Sequence, residues 1–516
     1  MVHVNPAIPD TVPKFVDPVP IPAVLRPIGI ERGKPLYGIT MSQFQQQLHR
    51  DFLPTTVWGY NGTYPGPTIE ARRNQAIRVR YLNNLPTTHL LPIDHSVHGA
   101  ESFRPDVRTV VHLHGANLPA IFDGHPDVWF TPGLVETGPL FKTNVFTYPN
   151  KQPATALWYH DHAVGITRLN VYAGLAAFYL LRDRFEDALK LPSGCFEVPL
   201  VIQDRSFNPD ASLFYPESVP PEFFGNTILV NGKVWPFLEV QPRRYRFRLL
   251  NGSNARFYRL RFDPELSVTQ IGVDGGFLAR PVQLNEILLA PAERADVIID
   301  FTAHQGATFT LTNDAPTPFP AGDPPDENTS LIMQFRVVLP LKARDRSAIP
   351  TELPEGLSLS PDEAVKTRDL TLNEVEGHMG GVLPLLGIRS ISGRPLPLAW
   401  GDSDTEYPRL DTVEIWNLIN LTADTHPIHP HLIRFLILDR QPFDVDRLTA
   451  TGEFVFTGPP VPPEADERGP KDTVRANPGE VTRFIARFGD FAGDFVWHCH
   501  ILEHEDHEMM RRYEVV

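Results

Sequence analysis

Ile77-Arg78-Val79-Arg80-Tyr81-Leu82-Asn83 alternates apolar with polar side chains and stops on asparagine. A period of two is that of a half-buried β-strand. The design returns as Tyr245-Arg246-Phe247-Arg248-Leu249-Leu250-Asn251 and again as Val413-Glu414-Ile415-Trp416-Asn417-Leu418-Ile419-Asn420. The closing asparagines lie 168 and 169 residues apart, close to a third of the 516-residue chain. A period that long marks a triplicated domain, not a short-repeat solenoid. Tyr60-Asn61-Gly62 precedes the first strand much as Val230-Asn231-Gly232 precedes the second. Short β-like runs at 198–203, 287–290 and 297–301 are separated by Pro, Gly and Asn, which suits antiparallel β-sandwiches. A charged connector with some helical character (183–191) and a polar, proline-containing stretch (339–370) place the domains near 1–182, 190–340 and 368–516.

Composition agrees with this reading. At roughly 100–200 residues per domain the length also predicts about three. With 42% hydrophobic and 21% charged residues the chain matches soluble globular proteins and excludes disorder. Its 53 prolines are about twice the usual share, and proline is poorly tolerated in helices and central strands. A loop-rich, mostly β protein follows. The net charge of −15 opposes phosphate backbones and anionic membranes, so neither nucleic acid nor membrane is an expected partner. No stretch approaches the ~20 apolar residues of a membrane span. The start, MVHVNPAIPDTVPKFVDPVPIP, lacks the basic residues and apolar run of an export signal. Of the two cysteines, Cys499 lies between histidines, which argues against a disulfide; Cys195 is expected to be a buried or semi-exposed free thiol.

Four short motifs carry chemistry. His112-Leu113-His114-Gly115 and His160-Asp161-His162 each follow an apolar run, and alternation along a strand aims both imidazoles of a His-x-His at one site. Either pair alone is weak evidence, because two histidines hydrogen-bonded on a strand face look the same. His426-Pro427-Ile428-His429-Pro430-His431 is denser. His498-Cys499-His500-Ile501-Leu502-Glu503-His504 holds three of the 19 histidines in seven residues, with Met509 five residues beyond His504. Two histidines, a thiolate and a weak axial methionine describe a blue copper site, whereas structural zinc takes four strong ligands. Cys499, His504 and His426 fit that description with Met509 axial, Met510 being the rival. In a strand His498 and His500 point away from Cys499, so one peptide faces two metal sites.

The HLHG, HDH, HPIHPH and HCHILEHEDHEMM segments resemble the four copper motifs of multicopper oxidases. WGYNGTYPGPTIE, NVYAGL, TILVNGKVWP, LAPAER and WHCHILEHED extend the resemblance, over most of the chain, to bacterial spore-coat laccases. It implies an all-β fold of three cupredoxin-like Greek-key sandwiches and four copper ions, one type 1, one type 2 and a type 3 pair. By the same resemblance His112 and His429 would hold the type 2 copper, and His114, His160, His162, His431, His498 and His500 the type 3 pair. Domains 1 and 3 would share this cluster, and domain 2, without a motif, would act as spacer and wall. Pro430 stands where an aliphatic is common; it removes a backbone donor, so an edge or bulge is expected there.

Reduction of oxygen to two waters consumes four protons, and Glu505 and Asp123 match acidic positions that supply them in the resembling laccases. Glu503 and Asp506 carry no such support. Arg243–Arg248 reads as one polar strand face, and the nine other histidines as surface or hydrogen-bonded groups. The expected activity is laccase-type: one-electron oxidation of phenols and aromatic amines coupled to reduction of O2 to water, by a monomer. Bilirubin oxidation and metal-ion oxidation are rivals, and six methionines are too few for a cuprous-oxidase insert. A copper-storage or coat protein is the alternative from another class. The absence of a signal fits a cytoplasmic protein, and the resemblance a spore-coat one.

Overall fold

The computed structural model describes residues 4–354, 356–376 and 382–516. Its strands form six sheets, two in each third of the chain. Each asparagine-ending strand lies at the centre of its repeat. Ile77–Asn84 pairs parallel with Lys34–Gln46, Arg244–Asn251 with Glu197–Phe207, and Thr412–Asn420 with Ala364–Glu376. On its other edge each pairs antiparallel with a later strand, Val145–Tyr148, Arg294–Asp300 or Glu480–Phe488.

The asparagines end these strands for one physical reason. The side-chain oxygens of Asn83, Asn251 and Asn420 accept the N–H of Leu85, Ser253 and Thr422, two residues on. Their amide nitrogens donate across the loop, to Phe130 O, Leu289 O and Ala476 O respectively. A short side-chain amide turns the chain and ties the turn to the sandwich.

A second, smaller sheet faces each of these in the first and third repeats. In the first, Ile69–Arg72, Ala176–Arg182, Thr155–Asp161 and Val111–His114 lie side by side; in the third, Val474–Ala476, His426–Pro430, Gly493–Cys499 and Met510–Val515. Leu370, Trp416 and Phe484 from one sheet of the third repeat pack with Ile428, Trp497 and Cys499 from the other. These small sheets carry His112, His114, His160, His426, His429 and His498, while His162, His431 and His500 each follow the last residue of a strand and His504 stands on the short helix Leu502–Asp506.

Pro430 ends its strand without a bulge. His500 N–H donates to Pro427 O and His431 N–H to Val496 O, so odd-numbered residues turn their backbone groups toward Gly493–Cys499. Even-numbered residues face Val474–Ala476, whose ladder stops at Ile428. The proline nitrogen thus points past the end of a strand, where no donor is required.

The polar strand face of Arg246 and Arg248 is buried: both pack against Asp296 and Glu186, with Arg248 also on Glu197. The helix Arg184–Ala188, in the expected connector, delivers Glu186 to this cluster. Cys195 is a free thiol as expected but exposed, not buried or semi-exposed, and Cys499 is free and buried.

Candidate metal centre

His112 stands opposite His160 in the first repeat, and His429 opposite His498 in the third. The two histidine faces meet across the boundary between the repeats. The rings of His112 and His431 stack at 3.8 Å and those of His114 and His429 at 3.7 Å. All eight rings, His112, His114, His160, His162, His429, His431, His498 and His500, are at most 1% exposed.

Their outer nitrogens are committed. Nδ1 lies 2.6 Å from the Asp123 carbonyl in His112, 2.6 Å from the Asp472 carbonyl in His429, 2.8 Å from the Asp161 carbonyl in His160 and 3.0 Å from the Cys499 carbonyl in His498. A carbonyl only accepts, so the proton of each ring is on Nδ1 and Nε2 carries a bare lone pair. Those lone pairs converge. His112 and His429 bring Nε2 atoms to 3.4 Å, and those of His162, His431 and His498 form a triangle of 3.2–3.3 Å sides. His114, His160 and His500 gather ligand atoms within 4.8 Å. Among the described residues His114 Nδ1, His160 Nε2 and both His500 nitrogens have no hydrogen-bond partner. Each such buried group costs roughly 1–3 kcal/mol. A bound cation removes that cost and the mutual repulsion, so the donor set fits metal ions. Burial first, and neighbouring imidazoles second, hold His112, His114, His162, His429, His431 and His500 well below the usual histidine range. The rings stay neutral, the form that binds a metal.

A fourth group faces the other side of the same strand. Cys499 Sγ is 3.6 Å from His426 Nδ1 and 3.7 Å from His504 Nδ1. With bonds of ~2.3 Å to sulfur and ~2.0 Å to nitrogen, a trigonal metal spaces those donors by about 3.7 Å. The Thr422 hydroxyl lies 2.7 Å from His426 Nε2. Met509 is buried in the same apolar cluster as Cys499, and its carbonyl accepts the Cys499 N–H at 3.0 Å. Met510 packs in a different cluster.

Both predicted proton-handling acids adjoin the histidines. Asp123 Oδ2 is 2.6 Å from His431 Nδ1, and burial pushes this carboxyl well above its usual value. Glu505 spans two rings, with Oε1 3.1 Å from His162 Nδ1 and Oε2 3.0 Å from His498 Nδ1. Glu503 and Asp506, without support in sequence, are buried too. Glu503 accepts from the Tyr215 hydroxyl at 2.7 Å and Asn254 at 2.8 Å, and burial pushes it up to about 7. Asp506 binds Arg168 and the start of the helix Thr167–Ala173. Asp472 escaped sequence reasoning: its Oδ1 is 3.2 Å from His114 Nε2, and no spacing around it signals a role. Among the other histidines His49, His89 and His125 are buried, while His3 and His378 lie outside the described residues.

Three multicopper oxidase family profiles match residues 43–106, 208–333 and 393–516. A laccase of Bacillus subtilis is 49% identical over 519 residues, spanning 98% of this chain and 99% of its own. The chain belongs to the multicopper oxidase family. A laccase of Haloferax volcanii is 42% identical across 97% of this chain and 85% of its own. The crystal structure of a laccase from Pediococcus acidilactici superposes with a TM-score of 0.77 at 29% identity, covering 98% of this chain and 95% of that one. The fold is all-β with cupredoxin-like domains, the cofactor is copper, and the activity is that of a laccase-like multicopper oxidase. Among the described residues no helix of this oxidase is long and apolar enough to cross a membrane.

Proposed function

We propose that this oxidase carries four copper ions and couples one-electron oxidation of phenols and aromatic amines to reduction of O2 to water. One observation carries the reading. Cys499 Sγ approaches His426 and His504, while its neighbours His498 and His500 join two other nitrogen groups. The type 1 ion would be held by His426, Cys499, His504 and Met509, and type 2 by His112 and His429. The type 3 pair would be held by His114, His160 and His500 on one side and His162, His431 and His498 on the other. Copper in these sites supplies the one-electron couple and the oxygen-reducing centre. The domains at 1–182, 190–340 and 368–516 would divide the work, the first and third holding the cluster between them.

The remaining roles belong to the chain. His504, 4% exposed against 0% for His426 and Cys499, is the type 1 ligand nearest solvent, so a donor docks at its edge. Cys499 and its flanking peptide bonds join the donor side to the cluster. Glu505 and Asp123 hold and deliver protons from carboxyl oxygens beside His162, His498 and His431. A copper-loaded sample with four copper atoms per chain, blue colour and oxygen uptake on addition of a phenol is expected. Copper binding without oxygen consumption would leave the storage reading instead.

A second reading, oxidation of a metal cation, draws on Glu222, Glu374 and Asp424. Burial first, then Asp424, Glu503 and Glu374, push Glu222 up to about 9, so it is neutral near pH 7 and would attract a cation by exchanging its proton. If a cation is the donor, Glu222→Gln slows ferrous oxidation while phenol turnover stands. Equal rates on both would remove this reading. We further propose a monomer, tested by sedimentation, and by resemblance a spore-coat location, tested by fractionation of spores.

A further inference from the structure

The second repeat contributes no ligand to any of the four histidine groups, yet one of its side chains reaches them. Arg294, at the start of the strand Arg294–Asp300, is 1% exposed and touches all three repeats. Its Nε donates at 3.0 Å to the carbonyl of Ala156, on the first-repeat strand that carries His160. Its Nη1 donates at 2.8 Å to Asp472 Oδ1 of the third repeat, and Nη2 contacts Asp472 Oδ2. Nη1 and Nη2 also donate to the Ala292 and Asp274 carbonyls of its own repeat, at 2.9 and 3.1 Å. A planar guanidinium holds a carboxylate through two parallel bonds and so fixes its plane.

Asp472, fully buried, in turn sets two rings. Its Oδ1 is 3.2 Å from His114 Nε2, with the Thr473 hydroxyl at 3.1 Å, and its carbonyl is 2.6 Å from His429 Nδ1. His114 is thereby turned opposite to His112, His160, His429 and His498. Its proton goes to Nε2, and the bare atom is Nδ1, which has no other partner among the described residues. Gly115 belongs to the same device. A Cβ there would stand 2.1 Å from Asp472 Oδ2 and 2.7 Å from Arg294 Nη2, so the glycine of the first motif is the space this ion pair occupies.

We infer that Arg294 is a positioning residue of the oxygen-reducing cluster: from the repeat without ligands it locks Asp472, and through Asp472 the tautomer of His114 and the orientation of His429. This rests on the copper assignment proposed above. Partners of metal-bound histidines commonly alter metal affinity by ~10–100-fold when removed. Lysine at 294 keeps the charge but cannot form the fork.

The experiment compares copper-loaded wild type with Arg294→Lys, Asp472→Asn and Glu293→Gln under stepwise chelation, following type 1 and type 2 signals by electron paramagnetic resonance. Glu293 pairs with Lys471 at 2.7 Å in the same buried junction but touches no histidine. Arg294→Lys is expected to lose cluster copper at ~10–100-fold lower chelator and to shift the type 2 hyperfine pattern. Its type 1 signal stays unchanged, and Glu293→Gln behaves as wild type. Should Arg294→Lys not fold, Asp472→Asn, close in shape, tests the same lock from its other side. Wild-type retention and spectrum in a folded lock variant overturn the inference, as does equal loss in Glu293→Gln, which would make the effect one of junction stability. Wild-type protein that never acquires a type 2 signal overturns the copper assignment instead.

Discussion

His112 and His429 bring bare Nε2 atoms to 3.4 Å although 317 residues separate them. Each ring is fixed from behind by a carbonyl, so neither can turn its proton inward to relieve the contact. The two repeats are therefore held together against a repulsion that a cation removes. Stripping copper with a chelator should lower the thermal midpoint. Re-addition should restore it, since a ligand at 100-fold over its dissociation constant adds about 2.7 kcal/mol per site. Identical melting of the loaded and stripped forms would refute this account.

Cys499→Ser should abolish the blue colour and turnover while leaving the fold intact. Serine nearly preserves the volume but is a poor ligand for a site built on a soft thiolate. His498 and His500 keep their places because the Cys499 carbonyl and Glu505 hold the His498 ring and the Pro427 carbonyl accepts the His500 N–H. Visible absorption, circular dichroism and type 2 resonance of one sample suffice as a check. Retained blue absorbance would defeat the type 1 assignment.

Glu505→Gln should slow reoxidation by oxygen by ~10²–10⁴-fold, the usual worth of a positioned proton donor. The amide keeps the shape between His162 and His498 but delivers no proton. Reduction of the type 1 site by substrate should not change, because Glu505 faces the other group of rings. Stopped-flow traces separate the two half-reactions, and an equal slowing of both would count against the role. Asp123→Asn should behave in the same way through His431.

His89 gives a pH dependence away from the copper. Burial first lowers its pKa to about 4 from 6.5, while Asn170 and the Leu91 carbonyl offset part of the shift. The folded protein then holds fewer protons than the unfolded chain between those values. Stability is fully present above 6.5 and is lost as pH falls toward 4, at up to about 1.4 kcal/mol per pH unit. His89→Gln should flatten the slope of unfolding free energy across that window. An unchanged slope would show that His89 is not among the groups responsible.

The triplication was legible because each repeat needs the same strand end, and Asn83, Asn251 and Asn420 perform the same turn. The histidine groups were legible because strand alternation converts His-x-His spacing into a shared direction. Asp472 and Arg294 were not. Their partners lie 358 residues away at His114 and 178 residues apart from each other, and an ion pair across repeats leaves no local period. The burial of Arg246 and Arg248 was not legible either: alternation predicts their polar face but is silent on whether acids from a neighbouring segment cover it.

Pro430 was expected to need an edge or a bulge, and the ladder supplies the edge. A proline costs stability where an N–H would have been bonded, and here the neighbouring strand ends two residues earlier, at Ile428. Pro430→Leu restores the common aliphatic. It gains no hydrogen bond, and its larger side chain meets a fully packed site, since Pro430 is buried. The variant should therefore be no more stable than wild type, at a cost of up to ~1–3 kcal/mol from overpacking. His429 and His431 should keep their places, because their own N–H groups and rings are held by Gly493–Cys499, Asp472 and Asp123. Chemical denaturation and the type 2 signal measure the two halves of this expectation. A gain in stability with a shifted type 2 signal would mean that the proline does strain the cluster.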